Sequence, residues 1–272
     1  MLDASPVQMQ RARGRASVAL SLRGGATRLD RLHQSGCAKA FLPKVHSDVP
    51  EVVFLNTSGG LTGGDKLSFR GDLGAGVSAT LTTQTAERAY ASADGVAEMD
   101  VEISVRENGH LAWLPQETIL FDHSGLRRRT TIRLGAGATC LSVETLVLGR
   151  AAMGEVVSDL NLFDSRVIER NGLPLVIDPV RLNAETLTAG SPAGLSGARA
   201  LTSLIWVSDA AADWVDRLRA TIAQHPVEAA VSAWDGRLVV RGKAVDAYPL
   251  RRMVADVIVQ IQDSALPRVW QV

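Results

Sequence analysis

The sequence predicts a mainly β protein with a large multi-stranded sheet structure and two α-helices in its C-terminal half. Short β-rich segments bounded by glycine or proline fill the first two thirds of the chain. This spacing is typical of all-β folds and not of βαβ units. Val101, Ile103 and Val105 alternate with polar residues, which indicates a strand with one wet face. Two later segments repeat their apolar residues at helical spacing instead.

The β-rich segments follow one another closely, and their number indicates a large sheet structure. Besides the strand around Val101, which the turn Glu107-Asn108-Gly109 ends, they lie at residues 17–22, 52–56, 78–85, 130–134, 139–148 and 173–177. We recognise no sequence repeat of 20–50 residues, so similarity between segments does not by itself predict a regular solenoid.

The two helices are predicted near residues 209–224 and 249–263. In the first, Trp214, Leu218 and Ile222 recur every four residues. In the second, the apolar residues follow the i, i+3, i+4, i+7 series and Pro249 suits the first turn. Residues 183–200 are rich in Gly, Ser, Thr and Pro and are interpreted as a mobile loop, not a linker. We therefore expect one domain over residues 1–272.

The composition narrows the classes of partner and compartment. Hydrophobic residues make up 46% of the chain, and 29 Lys and Arg balance 29 Asp and Glu. A balanced charge gives no basic field for nucleic acid or an anionic membrane, and we expect neither as a partner. The sequence shows no signal peptide and no transmembrane run, so we expect a cytoplasmic protein. Cys37 and Cys140 lie far apart, which fits a reducing compartment and not a disulfide framework.

The glycine run at residues 56–65, with the sequence NTSGGLTGGD, is similar to a phosphate-binding loop but lacks its chemistry. A P-loop places lysine and then Ser or Thr directly after its last glycine. Here Asp65 stands in the lysine position and Leu67 stands where the hydroxyl belongs. A carboxylate there would repel a triphosphate. We interpret the run as a tight turn that positions the Asp65 side chain.

No strong catalytic or metal-binding motif is present. The five histidines show no HxH, HxxH or HExxH spacing. Asp122 and His123 are possible ligands, yet neighbouring residues on a strand point to opposite faces. No GxSxG elbow or recognisable triad supports a hydrolase. Asp65, Glu117 and Glu155 remain acid candidates whose separation in the sequence does not give their distance in space.

Three further segments each allow two interpretations. Arg127-Arg128-Arg129 is either a phosphate or acidic-partner site or, more commonly for such runs, a solvated strand end. Residues 149–155 (GRAAMGE) are either a turn with a surface ion pair or a polar cluster that lines an interior path. Residues 114–121 (LPQETILF) form a strand led by proline, and their Gln-Glu pair needs partners if it is buried.

Taken in order, these segments resemble the urease accessory protein UreD family, called UreH in some bacteria. The resemblance is carried by residues 58–65, residues 82–86 (TTQTA) with Tyr90, residues 114–121, residues 149–155, and residues 267–270 (PRVW). It extends from about residue 15 to the C-terminus. Each motif alone is weak, but five motifs in series are specific.

The resemblance implies a fold, partners and a role. The fold is a mainly β, β-helix-like stack of strands flanked by two helices. The role is that of a non-enzymatic maturation factor that binds the urease apoprotein, UreF and, through UreF, the GTPase UreG. It binds no cofactor tightly, and nickel (Ni²⁺) is expected to pass transiently through an internal passage. Carried onto this chain, the passage residues are Asp65, Glu117, Arg150 and Glu155, with Asp65 and Glu155 favoured and Arg150 as lining. A pure scaffold, with nickel delivered by another route, is the alternative.

Overall fold

In the computed structural model, which describes residues 10–44, 49–189, 191 and 194–271, the chain passes back and forth between two stacked sheets. Seven of the described strands form sheet A: β1 Arg13–Arg23, β2 Ala26–Gly36, β5 Lys66–Leu73, β8 Ala97–Val105, β11 Ser124–Leu134, β13 Leu160–Arg170 and β14 Leu173–Leu182. The other described strands form sheet B: β3 Ala38–Phe41, β4 Glu51–Asn56, β6 Ser78–Thr83, β7 Glu87–Ala89, β9 His110–Leu114, β10 Thr118–Leu120, β12 Thr139–Leu148, β15 Ala200–Val207, β16 Glu228–Trp234 and β17 Arg237–Ala244.

The centre of each sheet is parallel and gives the molecule a solenoid-like core. In sheet A, β5 pairs in parallel with β8, β8 with β11, and β11 with β13. In sheet B, β4, β6, β9 and β12 pair in parallel in the same way. Each coil of about 30 residues thus adds one strand to each sheet. The mainly β, stacked-sheet fold class is confirmed, although no sequence repeat marks the coils.

The predicted strands coincide with observed strands, with shifted ends. The segment 130–134 is the second half of β11, and 173–177 is the first half of β14. The segment 78–85 ends two residues early, at Thr83. Strand ends depend on where the partner strand stops, which the local sequence does not show.

Two hydrophobic cores lie on opposite faces of sheet B. The first fills the space between the sheets, where the rings of Phe54 and Phe69 stack with centroids 4.8 Å apart and Trp113 packs edge-on against Phe54. The second lies on the outer face of sheet B, beneath the helices. Strand β9 supplies both cores, because Leu111 and Trp113 face the first and Ala112 and Leu114 the second.

The two helices predicted for the C-terminal half are present. Helix α3, Ala247–Gln262, begins at Asp246, whose side chain accepts a hydrogen bond from the backbone N–H of Tyr248. Helix α2, Val215–Ile222, follows a 3₁₀ turn at Ala211–Trp214. The apolar stripe of α3 packs closely on β17, where a Cβ on Gly242 would lie only 3.1 Å from Leu250 Cδ1. The stripe therefore packs on the sheet, as its periodicity predicts.

The prediction of a loop over residues 183–200 was wrong for its first part. Helix α1, Ala184–Thr188, forms there, and Asn183 and Thr186 make a reciprocal capping box at its start. Five residues are too few to show helical periodicity. Residues 190, 192 and 193 of the predicted loop lie outside the described residues.

Candidate functional site

The glycine run forms a tight loop that packs against the segment after β7. A Cβ on Gly60, whose φ is +159°, would lie 2.3 Å from the ring of Tyr90. Tyr90 in turn donates a hydrogen bond from its hydroxyl to the carbonyl of Gly59 at 2.9 Å. Only glycine permits this approach of backbone and ring. The run is therefore a packing loop, and its glycines serve close contact.

Asp65 holds this loop to the start of β1. Its side chain is buried, with 4% of the residue exposed. Oδ1 accepts a hydrogen bond from Ala12 N at 2.7 Å, and Oδ2 accepts one from Thr62 N at 2.9 Å. A carboxylate that satisfies two buried N–H groups stabilises a turn, because each N–H left unpaired costs about 1–3 kcal/mol.

A series of contacts continues from Tyr90 to the segment 149–155. The ring of Tyr90 packs edge-on against Phe121 at 5.0 Å, and the Arg150 guanidinium lies 4.4 Å from the centroid of the Phe121 ring. Arg150 Nε and Glu155 Oε2 form an ion pair at 2.8 Å. The hydrogen bond from Arg150 lowers the pKa of Glu155, and those from the Asp122 and Arg150 backbone N–H groups lower it further. Of its two interpretations, the turn with an ion pair matches this geometry.

Glu117 lies in a second contact group, which fastens the C-terminus. Arg251 Nη1 of helix α3 contacts Glu117 Oε1 at 2.5 Å and Gln116 Oε1 at 2.8 Å. Gln116 Nε2 donates to the carbonyl of Val269, and Trp270 Nε1 donates to the carbonyl of Leu114, both at 3.0 Å. The Gln-Glu pair of the segment 114–121 thus has the partners that its burial requires.

The structure brings together the five motifs but not the four side chains selected from the sequence. The five motif segments, which we call the motif cluster, contact one another through the glycine loop, Tyr90, Phe121 and Gln116, whose backbone N–H donates to Thr83 Oγ1. Within the described residues, no hydrogen bond or ion pair joins Asp65, Glu117 and the Arg150–Glu155 pair to one another.

One side chain of the arginine run, Arg128, is buried, whereas the sequence predicted an exposed run. Residues 127–129 lie inside β11 and not at a solvated strand end, and Arg128 is 2% exposed while its neighbours point outward. Arg128 Nε and Nη2 donate to the two carboxylate oxygens of Asp164 at 2.9 and 2.6 Å. Arg128 Nη1 donates to Thr118 Oγ1 at 2.9 Å and lies 2.8 Å from Glu144 Oε2. Burial is tolerated because the charge is paired bidentately.

Glu144 is the second buried acid beside Arg128. Its Oε1 accepts hydrogen bonds from Trp113 Nε1 and Thr130 Oγ1, both at 3.2 Å. Its Oε2 approaches Arg128 as an ion pair but has no partner in hydrogen-bonding geometry. Burial raises the pKa of Glu144, and the attraction of Arg128 opposes the rise. This side chain therefore has an oxygen with unused capacity as an acceptor.

The charges continue from Arg128 towards the other edge of the sheets. Arg166, which is 2% exposed, donates from Nη2 to Asp178 Oδ2 at 2.9 Å and to Ser203 Oγ. Arg241 Nη2, which is more exposed, contacts Asp178 Oδ1 at 2.5 Å. Burial favours a raised pKa for Asp178, but Arg166, Ser203 and Arg241 outweigh burial and the pKa is lowered. We call Glu87, Arg128, Glu144, Asp164, Arg166 and Asp178 the interior charge cluster.

Two cavities meet at this cluster. A small cavity of about 50 Å³ lies between the sheets beside the motif cluster, with polar lining from Asn56, Glu87, Thr118, Arg128 and Glu144. A cleft of about 600 Å³ opens beyond it, with Glu144, Asp164, Arg166, Asp178 and Arg241 among its walls. Glu144 borders both. Members of the cluster therefore line both cavities, and Glu144 lies where the two meet.

Of the acids that line the small cavity, Glu87 lies nearest to the motif cluster. Asn56 Nδ2 donates to both of its carboxylate oxygens, at 3.3 and 3.4 Å. Burial raises the pKa of Glu87 to about 7, against the lowering effect of the Arg88 backbone N–H and of Asn56. Near neutral pH this carboxyl group therefore exchanges a proton readily.

Sequence reasoning missed these interior acids, although one signal was available. Glu144 is the single charged residue in the apolar strand Thr139–Leu148, and a lone buried charge requires a partner. Glu87 and Asp164 carry no comparable signal, because each lies in a strand of mixed polarity.

The objection to Asp122 and His123 as metal ligands assumed that they lie on a strand, and the structure has no strand at these two residues. The two residues form a turn in which His123 has φ +60°. Asp122 Oδ1 accepts from the backbone N–H groups of Ser158 and Asp159. In the described part of the chain, no group of three or more His, Cys, Asp or Glu residues is arranged to hold a metal ion. Among the same residues, no helix is long and apolar enough to span a membrane.

The chain is similar to known proteins over nearly its whole length. A family model described as UreD urease accessory protein matches residues 12–271. The chain is 53% identical to the urease accessory protein UreD of Cereibacter sphaeroides, over 97% of this chain and 96% of that protein. It is 49% identical to that of Dinoroseobacter shibae, over 99% and 95%, and 39% identical to that of Agrobacterium fabrum, over 97% and 93%.

Proposed function

Because the chain belongs to the UreD urease accessory protein family, we propose that it is a urease maturation factor. In this proposal it binds the urease apoprotein and UreF, with UreG joined through UreF, and helps deliver nickel to the urease active site. It acts in the cytoplasm as a chaperone or scaffold and not as an enzyme. Nickel is its transient cargo and not a resident cofactor. The relatives, which are named accessory proteins, support this role.

We propose further that nickel crosses the protein through an internal polar passage, and one observation carries this part: Glu144 borders both the small cavity and the larger cleft. The interior charge cluster sets four carboxyl groups against two buried guanidinium groups. Arg241 adds a third positive charge beside Asp178, which leaves at most one carboxylate in excess, and a passing cation would be attracted to it. Isolated carboxylates, waters and carbonyls bind a transition metal weakly, which suits an ion that must leave as readily as it enters.

The four side chains selected from the sequence form the outer part of the proposed passage. Arg150 and Glu155 form one pair at the edge of the motif cluster, and Glu117 forms another with Arg251. Asp65, with both oxygens bonded to backbone N–H groups, would act by holding the loop in place. We expect Asp65→Ala with Glu155→Ala to leave the UreF complex intact and to lower nickel loading of urease. Normal loading in that double variant would remove these residues from the passage.

The pure scaffold is the second candidate, and a specific observation favours it. Each acid selected from the motifs is already paired: Asp65 with backbone amides, Glu117 with Arg251, and Glu155 with Arg150. Acids paired in this way hold the loops and the C-terminus in place. They shape a binding surface, and no ion needs to pass through the protein. In this case nickel reaches urease by another route.

One experiment separates the two candidates. Glu144→Gln keeps the side-chain volume and removes the charge at the shared wall of the two cavities. Co-expressed with the urease subunits, UreF and UreG, this variant is expected to assemble normally but to load urease with less nickel. Native mass spectrometry measures assembly, and the metal content of purified urease measures loading.

The matched control is Glu102→Gln, which removes one exposed carboxylate from β8, on the outer face of sheet A. We expect it to change neither assembly nor loading. Equal nickel contents for the two variants, with assembly intact, would reject the passage and leave the scaffold. Failure of the wild-type chain to capture UreF or urease would reject the maturation role itself.

A further inference from the structure

Strand β2 ends sheet A and is exposed along most of its length. It pairs with β1, and nine of its eleven residues, from Arg28 to Gly36, are classed as exposed. A two-stranded ribbon without burial gains little stability of its own in water. An edge of this length also presents a row of free backbone N–H and C=O groups. The length and the exposure of β2 therefore suit an edge that receives another strand.

The opposite edge of sheet A is blocked against such pairing. Strand β14 carries Pro174 and Pro179, which lack the N–H group that a neighbouring strand would need. Strand β2 has no proline. Its ladder with β1 shifts register once, opposite Ala19 and Leu20, which leaves the six residues from Arg31 to Gly36 as an unbroken segment. One edge of sheet A is closed and the other is open.

The two faces of β2 differ in chemistry. Leu29 and Leu32 lie opposite Leu20 and Val18, whose side chains are buried between the sheets. They are nevertheless 43% and 39% exposed, so the apolar face of the strand continues the core to an uncovered rim. A strand added at this edge would meet leucine side chains on its inner face.

The outer face of β2 is basic. Arg28 and Arg31 lie opposite Ser21 and Ala19, whose side chains point away from the core, and His33 lies opposite Ser17. Residues 11–36 hold six arginines and one aspartate, although the whole chain is neutral. Arg31 forms a long, exposed ion pair with Asp72 at 3.8 Å, and no ion pair within the described residues neutralises Arg13, Arg15 or Arg28. This uneven charge favours an acidic partner.

We propose that the free edge of β2, from Arg31 to Gly36, binds an extended segment of a partner protein in which acidic residues alternate with apolar ones. Main-chain hydrogen bonds add the segment to sheet A as a further strand. Its apolar residues pack beside Leu32 and its acidic residues face Arg31, and a segment that continues past the register shift meets Leu29 and Arg28 in the same way. A second copy of β2 is a poorer partner, because it would place like charges side by side.

The test uses the full chain and three labelled peptides. The first alternates valine and glutamate, the second has the same composition with the valines and the glutamates in separate blocks, and the third alternates valine and lysine. We expect the alternating acidic peptide alone to bind, with an affinity that falls as salt is added. Fluorescence anisotropy measures binding, and amide hydrogen exchange shows which backbone groups become protected. Protection is expected at residues 31–36.

Charge reversal supplies the matched comparison. Arg28→Glu with Arg31→Glu is expected to weaken binding of the acidic peptide by about tenfold or more. Arg127→Glu with Arg129→Glu makes the same change on the exposed face of the central strand β11, which has no free edge, and should have little effect.

Three results would overturn the proposal. One is equal binding of the alternating and block peptides, and another is equal loss of affinity in the two charge-reversed variants. The third is protection, before any peptide is added, of those amides in residues 31–36 that do not bond to β1. Such protection would assign the edge to a segment of this chain if it is independent of protein concentration, and to a second copy if it rises with concentration.

Discussion

At the scale of single residues, burial decides which charged side chains this protein can use. Arg128 and its neighbours Arg127 and Arg129 have the same chemistry, yet only the middle side chain points between the sheets. There it must be paired, because removing one partner of a buried ion pair costs about 3–5 kcal/mol. The outer two stay solvated. Position on the pleat, and not residue type, assigns the role.

Glu87 gives a prediction for the dependence of stability on pH. Burial raises its pKa from 4.5 to about 7 in the folded protein. As the pH rises from about 4.5 to 7, the unfolded chain releases this proton and the folded chain retains it, so the free energy of unfolding falls. Glu87→Gln removes this contribution. We expect the variant to gain stability relative to the wild type between pH 5 and pH 8, by at most about 3 kcal/mol.

Urea unfolding of the two proteins at pH 5 and pH 8 measures this difference. Glu102→Gln, on the outer face of β8, is the control and should leave the difference between the two pH values unchanged. A constant offset between the wild type and Glu87→Gln at both pH values would contradict the prediction.

At the scale of elements, the C-terminal segment at residues 267–270 joins helix α3 to the end of β9. Trp270 is 6% exposed, donates to the carbonyl of Leu114, and lies 4.6 Å beneath the Arg251 guanidinium. The same arginine holds Glu117 and Gln116. Two of the five motif segments are thus joined to the second core by one tryptophan and one arginine.

Trp270→Ala should therefore destabilise the protein strongly. We expect a loss of about 3–5 kcal/mol in the free energy of unfolding, because the change opens a cavity and removes one of the two side-chain hydrogen bonds that the Leu114 carbonyl accepts. Trp234→Ala is the matched control, since Trp234 is 46% exposed and should contribute much less. Denaturant unfolding measures both. Equal losses in the two variants would show that the buried Trp270 stabilises the fold no more than the exposed Trp234 does.

At the scale of the whole molecule, sheet B couples the two hydrophobic cores. Side chains of β9 and β12 alternate between the core inside the solenoid and the core under the helices. Neither core can lose its packing without exposing one face of the same sheet. The single domain expected from the sequence should therefore unfold in one cooperative transition.

Two probes test this expectation. Far-UV circular dichroism follows the sheets, and tryptophan fluorescence reports on Trp113 in the first core as well as Trp206 and Trp214 in the second. Coincident denaturation curves are expected. Two separate transitions would mean that the helices and the solenoid unfold as independent units.

The sequence by itself determined the fold class, the two longer helices and the order of the motifs, because these depend on local patterns. Alternation along Val101–Val105 and the i, i+3, i+4, i+7 stripe of α3 are properties of a few neighbouring residues. The five-residue helix α1 was not predicted, since fewer than two helical turns cannot show a repeat of the 3.6-residue period. Among the acids selected from the motifs, Glu155 has the partner that one interpretation of the sequence named, Arg150, whereas the partners of Asp65 and Glu117 were not predicted.

Only the tertiary structure decided which charges meet. Arg128 and Asp164 are 36 residues apart and come together because one coil of the solenoid separates them, and Glu144 reaches the same arginine from the opposite sheet. Glu117 finds Arg251 across 134 residues. Such pairings follow from the register of stacked strands and from burial, which are set by packing over the whole chain and not by any local run of residues.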